Sequence, residues 1–255
     1  MTTFLVYEPE ANVARAEWAA RQCIGPKDTL HSVVPTGFEK YVRLCQPGWF
    51  SPGFDLVNKG GSRVDFYTAK KVLKPIRWCD IAQENGKVVH SLMQWYSIAS
   101  PDADIRSGVA GTHAPFEGVI TREMVETLFD VLVSHSGENQ ECICAFWEGF
   151  GNLHNPRLST RVEGIGQQGH FLFHAPLAAI RDQWLLVLDH SKEPYGLTPQ
   201  AVWPLTHDWY FAVPFELRSA FLGGSTTVTT KIQNEQRLES YEVFPGDNIW
   251  RDEIN

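Results

Sequence analysis

Basic residues are in short supply in this sequence. It carries 22 Lys and Arg against 30 Asp and Glu, a net charge of −8. Sequence-independent nucleic-acid binding needs a basic face to displace counterions. The balance therefore speaks against that function and fits a soluble chain or one with a basic partner. Long apolar runs are missing as well: the longest clean one, Trp184 to Leu188, is far too short to span a bilayer. The opening MTTFLVYEPE has two acids and no basic stretch ahead of an apolar core, so neither a secretory leader nor membrane association is expected. Cysteine is scarce and odd in number, at positions 23, 45, 79, 142 and 144. Free thiols in a reducing compartment are expected from that count, which places the protein in the cytoplasm. Cys142 and Cys144 share one face of a strand and have no second pair to complete a zinc site, so they read as small buried hydrophobes.

Several motifs are also missing. No Gly-x-x-x-x-Gly-Lys-Ser/Thr phosphate loop, dinucleotide fingerprint or Gly-x-Ser-x-Gly elbow occurs, and no cofactor is expected. His170 and His174 have the spacing of a helical metal pair, but their segment reads as a strand. Four strand residues span roughly 13 Å, too far for one ion, so no metal is expected either.

What the chain does have is aromatic weight, with nine Trp and fifteen Phe, and a pattern of short elements. Residues 11–23 predict a helix with Val13, Ala16, Ala20 and Cys23 on one stripe, stopped by Gly25-Pro26. Ile76 to Glu84 predicts a short second helix. Thr121 to Val133 predicts the clearest one, capped by Thr121 and apolar along Met124, Leu128, Val131 and Leu132. Strands are predicted over 41–45, 94–99, 142–147, 170–177, 184–188, 210–215, 220–222 and 241–244, with a helix from Ser225 to Ile232. Turns rather than crossover helices separate these strands. The expected class is therefore α+β, a mainly antiparallel sheet with helices packed on it, in a single domain over 1–255 with a candidate sub-division near 136–140. Irregular Gly/Pro-rich stretches run over 46–64 and 100–118, the first read as a surface insertion, and Lys70, Lys71, Lys74 and Arg77 form the one basic cluster, a solvated face.

Two carboxylates stand out by context. Glu148 closes the aromatic run Phe146-Trp147 before a glycine break, and Glu216 follows Pro214-Phe215. Acids at two strand ends on one sheet edge suit an acid/base pair or the binding of a basic group, with His154 as a third candidate. Trp147 and Trp209 are candidate ligand-binding aromatics. Gly223-Gly224-Ser225 reads as a glycine turn into a helix, with Ser225 as the N-cap and an anion site as the functional alternative.

Five blocks carry a resemblance: GFEKYVRLCQP (37–47), RWCDIA (77–82), CAFWEGFG (144–151), HFLFHAPL (170–177) and WPLTHDWYFAVPFELRSAFLGGS (203–225). Together they resemble a family of uncharacterised bacterial proteins of similar length, whose last block reads W-P-x-D-x-x-W, Thr-Asp-x-Asp and Val-Gly-Gly-Ser. This chain departs from the pattern at Val213-Pro214, at Glu216 and at Gln46, where the family tends to have Thr-Asp, Asp and His. The resemblance implies one domain and no reaction.

The functional expectation is a non-enzymatic cytoplasmic binding protein, immunity- or inhibitor-like, that engages a protein partner or small ligand through an acidic, aromatic-rich surface. The alternative is a hydrolase or transferase using Glu148, Glu216 and His154 in an aromatic-lined cleft. As a cap, Ser225 should matter to stability: Ser225→Ala is expected to cost about 1 kcal/mol in urea unfolding.

Overall fold

The structure is a computed structural model that describes residues 7–50, 74–99, 112–150, 159–190 and 198–251. His154, Lys70, Lys71, most of the 46–64 stretch and residues 100–111 lie outside these residues. In chain order the strands are β1 (Glu8–Pro9), β2 (Lys40–Cys45), β3 (Gly48–Phe50), β4 (Lys74–Ile76), β5 (Thr112–His113) and β6 (Glu141–Trp147). They continue with β7 (Arg161–Ile165), β8 (Gln168–Pro176), β9 (Ala201–Pro204), β10 (Trp209–Ala212), β11 (Ser219–Gly224) and β12 (Glu239–Val243). The helices are α1 (Val13–Gln22), α2 (Trp78–Glu84), α3 (Trp95–Ala99), α4 (Arg122–Ser136), α5 (Leu177–His190) and α6 (Thr226–Gln233).

Nine strands form one sheet in the order β1-β8-β6-β9-β10-β11-β2-β12, with β7 also on β8, and β4-β3-β5 form a small second sheet. Every pairing is antiparallel. The fold is α+β in one compact body, as the turn-separated strands predict.

The period-two pattern of the strands sorts side chains onto two faces. Val42, Cys144, Phe146 and Leu222 point to one face, and Tyr41, Ala145, Leu172 and Phe221 to the other. The first face is covered by α4, α5 and α6 through Phe129, Trp184 and Val228, and the rings of Phe129 and Trp184 meet edge to face at 5.6 Å. The second face is covered by α1 through Ala19, by the turn around Leu30 and by Ile249 near the C-terminal end of the described chain. Cys142 and Cys144 lie fully buried on the first face, and burial pushes the thiol of each up.

Two predicted strands are helices instead. Trp184–Leu188 lies inside α5, where Leu177, Ile180, Trp184 and Val187 are buried at helical spacing while Leu186 is exposed. A five-residue apolar run fits either period, and here the residues upstream of it decide the outcome. The segment 94–99 forms α3 because Trp95 and Ile98, one turn apart, pack in the cluster that holds Trp78. The strand predicted to reach Phe215 stops at Ala212, where Val213 N still bonds Gln200 O but Pro214 cannot donate and a turn follows.

A third cluster, built on α2 and α3 beside Cys45, is fixed to the sheet by two charged groups. Arg43 is only 1% exposed. Its Nε donates to Ser219 Oγ at 2.9 Å, and its Nη1 donates to Ser91 O at 2.9 Å and Met93 O at 2.8 Å. The guanidinium also lies 5.0 Å from the centroid of the Trp78 ring. Glu239 on β12 accepts from Trp78 N at 2.6 Å and Cys79 N at 2.8 Å, capping α2 from the neighbouring strand. Arg43→Met keeps the bulk but strands two carbonyls and a hydroxyl. It should cost about 3 kcal/mol in urea unfolding, with loss of near-UV circular dichroism from the Trp78 environment.

Candidate functional site

The site lies where β6 ends beside the start of β8, with Trp147 opposite His170. The hairpin joining β7 to β8 is a two-residue turn in which Gly166 (φ 58°) and Gln167 (φ 59°) both adopt positive φ. That is the type I′ geometry suited to strand twist, and it sets Gln168 and His170 on the edge of the second face. Glu148 N donates to Gly169 O at 2.9 Å, and the Glu148 side chain folds back over Gly169, where an added Cβ would sit 2.5 Å from the carboxyl. Arg161 on β7 grips this carboxylate, Nε to Oε2 at 2.6 Å, while its Nη1 reaches Glu163 at 2.7 Å. The bond from Arg161 holds the Glu148 carboxyl below its usual range.

His170 is 2% exposed. Its Nδ1 lies 3.2 Å from Gln168 O, so this nitrogen carries the proton and donates, and the Gln200 side chain bonds the same ring. Burial, the dominant cause, lowers its pKa to about 4, so the ring is neutral at physiological pH. Gln200 is held by its backbone, N to Ala145 O at 2.7 Å and O accepting from Val213 N at 2.8 Å.

Gln168, His170, Gln200, Pro214, Phe215 and Glu216 line a cavity whose wall is completed by apolar residues and Trp250. Its volume is about 40 Å³. That is room for about three waters, whereas pockets for drug-sized ligands run to about 300 Å³ or more. Glu216 stands exposed in the turn after Pro214, with no hydrogen bond or ion pair to the described residues. The Trp147 ring meets Phe215 at 5.0 Å and Phe150 at 5.7 Å, forming an aromatic shelf beside the opening.

The predicted site residues thus separate. Glu216 lines the cavity with His170, and Trp147 touches its wall through Phe215. Glu148 is absent from the wall, although it lies within electrostatic reach of His170. Trp209 is buried in the first face, its Nε1 donating to Ser136 Oγ at 2.9 Å. Gly223 and Gly224 are the last residues of β11, not a turn. Their missing side chains let Phe38 lie against one and Val228 against the other. Ser225 Oγ accepts from Val228 N at 3.4 Å as the cap of α6, and Glu39 Oε2 accepts from Thr226 N at 2.7 Å. The position an external anion would take at this helix start is therefore filled by a carboxylate of the chain itself, which that bond holds below its usual range. Among the described residues no group of three or more His, Cys, Asp or Glu could hold a metal ion, and no helix is long and apolar enough to cross a membrane.

Sequence reasoning weighed His170 only as a metal partner of His174 and missed Gln168, Gln200 and Trp250. One signal was available: His170 has the parity of Leu172 and so points inward from an apolar strand. In chemical terms the arrangement offers a free carboxylate, aromatic faces and a neutral floor. That suits holding a cation better than moving a proton, because a base with a pKa of about 4 is weak at neutral pH.

Comparison with known proteins finds no match among family models, curated proteins or solved structures.

The buried imidazole makes stability depend on pH with a definite sign. The unfolded ring takes up a proton near pH 6.5, while the folded ring stays neutral down to about 4. The unfolded state binds more protons in that window, so stability falls as pH drops from about 6.5 to about 4. Relative to His170→Gln, the wild type should lose up to about 3 kcal/mol across this range in urea unfolding.

Proposed function

We propose that the chain is a non-enzymatic binding protein of the cytoplasm, immunity- or inhibitor-like, which engages a basic protein partner through the face around Glu216. The observation that carries the reading is the unequal state of the two carboxylates. Glu148, which a carboxylate-pair enzyme requires, is tied to Arg161 and stands outside the cavity. Glu216 lies open beside an aromatic wall with no partner among the described residues. The net charge of −8 supports a basic protein over nucleic acid as the partner. The family resemblance remains part of the proposal and adds no residue role to it.

A hydrolase or transferase is the second reading, favoured by the placement of Glu216 and His170 on one cavity. Retention of proteins from the source cells on the wild-type chain and on Glu216→Arg separates the two. The expected outcome is a basic protein held by the wild type and lost from Glu216→Arg. Turnover of a chromogenic glycoside, phosphate ester or acyl ester that Glu216→Gln abolishes would sink the binding reading.

A further inference from the structure

We infer that the cavity beside Glu216 receives a guanidinium group, the tip of an arginine side chain on the partner. The inference rests on the binding reading above and specifies what its central contact holds.

Size restricts the guest first. A volume of about 40 Å³ takes a fragment of roughly three or four heavy atoms by comparison with water. Charge restricts it next. Among the described residues no Lys or Arg lines the cavity, and Glu216 is the one carboxylate on its wall. Arg161, which is not among the lining residues, is matched by two carboxylates, Glu148 and Glu163. An anionic guest would meet Glu216 with nothing to offset it. A wholly apolar guest would cover Gln168, Gln200 and the Glu216 carboxylate without bonding them, which is costly.

The choice between the two cationic side chains comes from the walls. Phe215 and Trp250 contribute aromatic surface, and Ala212, Ile165 and Val33 contribute aliphatic surface. An ammonium is a compact, strongly hydrated charge that would lose its water on such a surface. A guanidinium is planar and weakly hydrated, stacks on aromatic rings and can present two N–H groups to one carboxylate. The floor does not oppose it, because His170 spends its proton on Gln168 O and stays neutral.

The test uses the full chain and three probes: N-acetyl-arginine amide, N-acetyl-lysine amide and the uncharged isostere N-acetyl-citrulline amide. Binding is followed by the NMR shifts of the His170 ring and the Trp250 indole. The expected result is saturable binding of the arginine probe, about tenfold tighter than either other probe and weakened about tenfold by Glu216→Gln. Glu216→Asp should recover part of the affinity, and the melting temperatures of both variants should match the wild type. Equal or tighter binding of the lysine probe would overturn the guanidinium assignment while leaving a cation-binding surface in place. Equal binding of the citrulline probe, or binding that Glu216→Gln does not weaken, would overturn the assignment of charge to Glu216. If no probe shifts either ring, the cavity is not the contact, and the binding reading then stands or falls on the Glu216→Arg retention experiment alone.

Discussion

The requirement that shapes this molecule is the covering of a wide antiparallel sheet on both faces. Strands β9, β10 and β11 are buried along their whole lengths, so each face needs its own apolar layer. The helices α4, α5 and α6 supply a regular one. The second face has a looser cover made from α1, a short turn and chain near residue 249. Trp203 Nε1 and Tyr210 OH are fully buried on the second face, and neither has a hydrogen-bond partner among the described residues. The two rings instead stack at 5.3 Å beneath Trp18, which itself stacks on His207 at 3.8 Å. Packing of large planar groups takes the place of directed bonds there. The cavity lies on this same face, beside Val33, Ile165 and Ala212.

Polar groups do the opposite work around α2 and α3. Those helices have seven and five residues, too short to persist without tertiary support. Arg43 and Glu239 reach them from adjacent strands of the main sheet and satisfy loop carbonyls and helix amides. Charged side chains seldom lie buried without such dense bonding. The third cluster is therefore part of the same body even though its apolar contacts form a separate set.

Much of the fold was legible because period and punctuation agree over most of the chain. Thr121 and Ser225 stand before apolar helical stripes and do cap α4 and α6. The alternation in 41–45 becomes β2, and the apolar run at 142–147 becomes β6. Legibility fails where a run is short and apolar throughout, as at 184–188, since either period fits until the neighbouring elements are known. It fails again at Gly223-Gly224, because two glycines signal a turn locally while the actual need is for space beside Phe38 and Val228. The site was half legible. Glu216 and Trp147 announce themselves by context, whereas Gln200 and Trp250 join His170 only through register and chain return, which no local pattern encodes.

The position of β2 between β11 and β12 governs how the chain can reach this state. Tyr41 to Cys45 pair on both sides, with segments made roughly 175 to 200 residues later. At a synthesis rate of about 5–20 residues per second, β2 waits roughly 10–40 s on the ribosome with both hydrogen-bonding edges open. Its inward residues Val42 and Leu44 wait with it. Such distant pairing also slows spontaneous folding, because the loop must close before the contacts that reward it can form. This strand, one in from the β12 edge of the finished sheet, is thus open to capture by chaperones, or by another copy of itself, while the protein is being made.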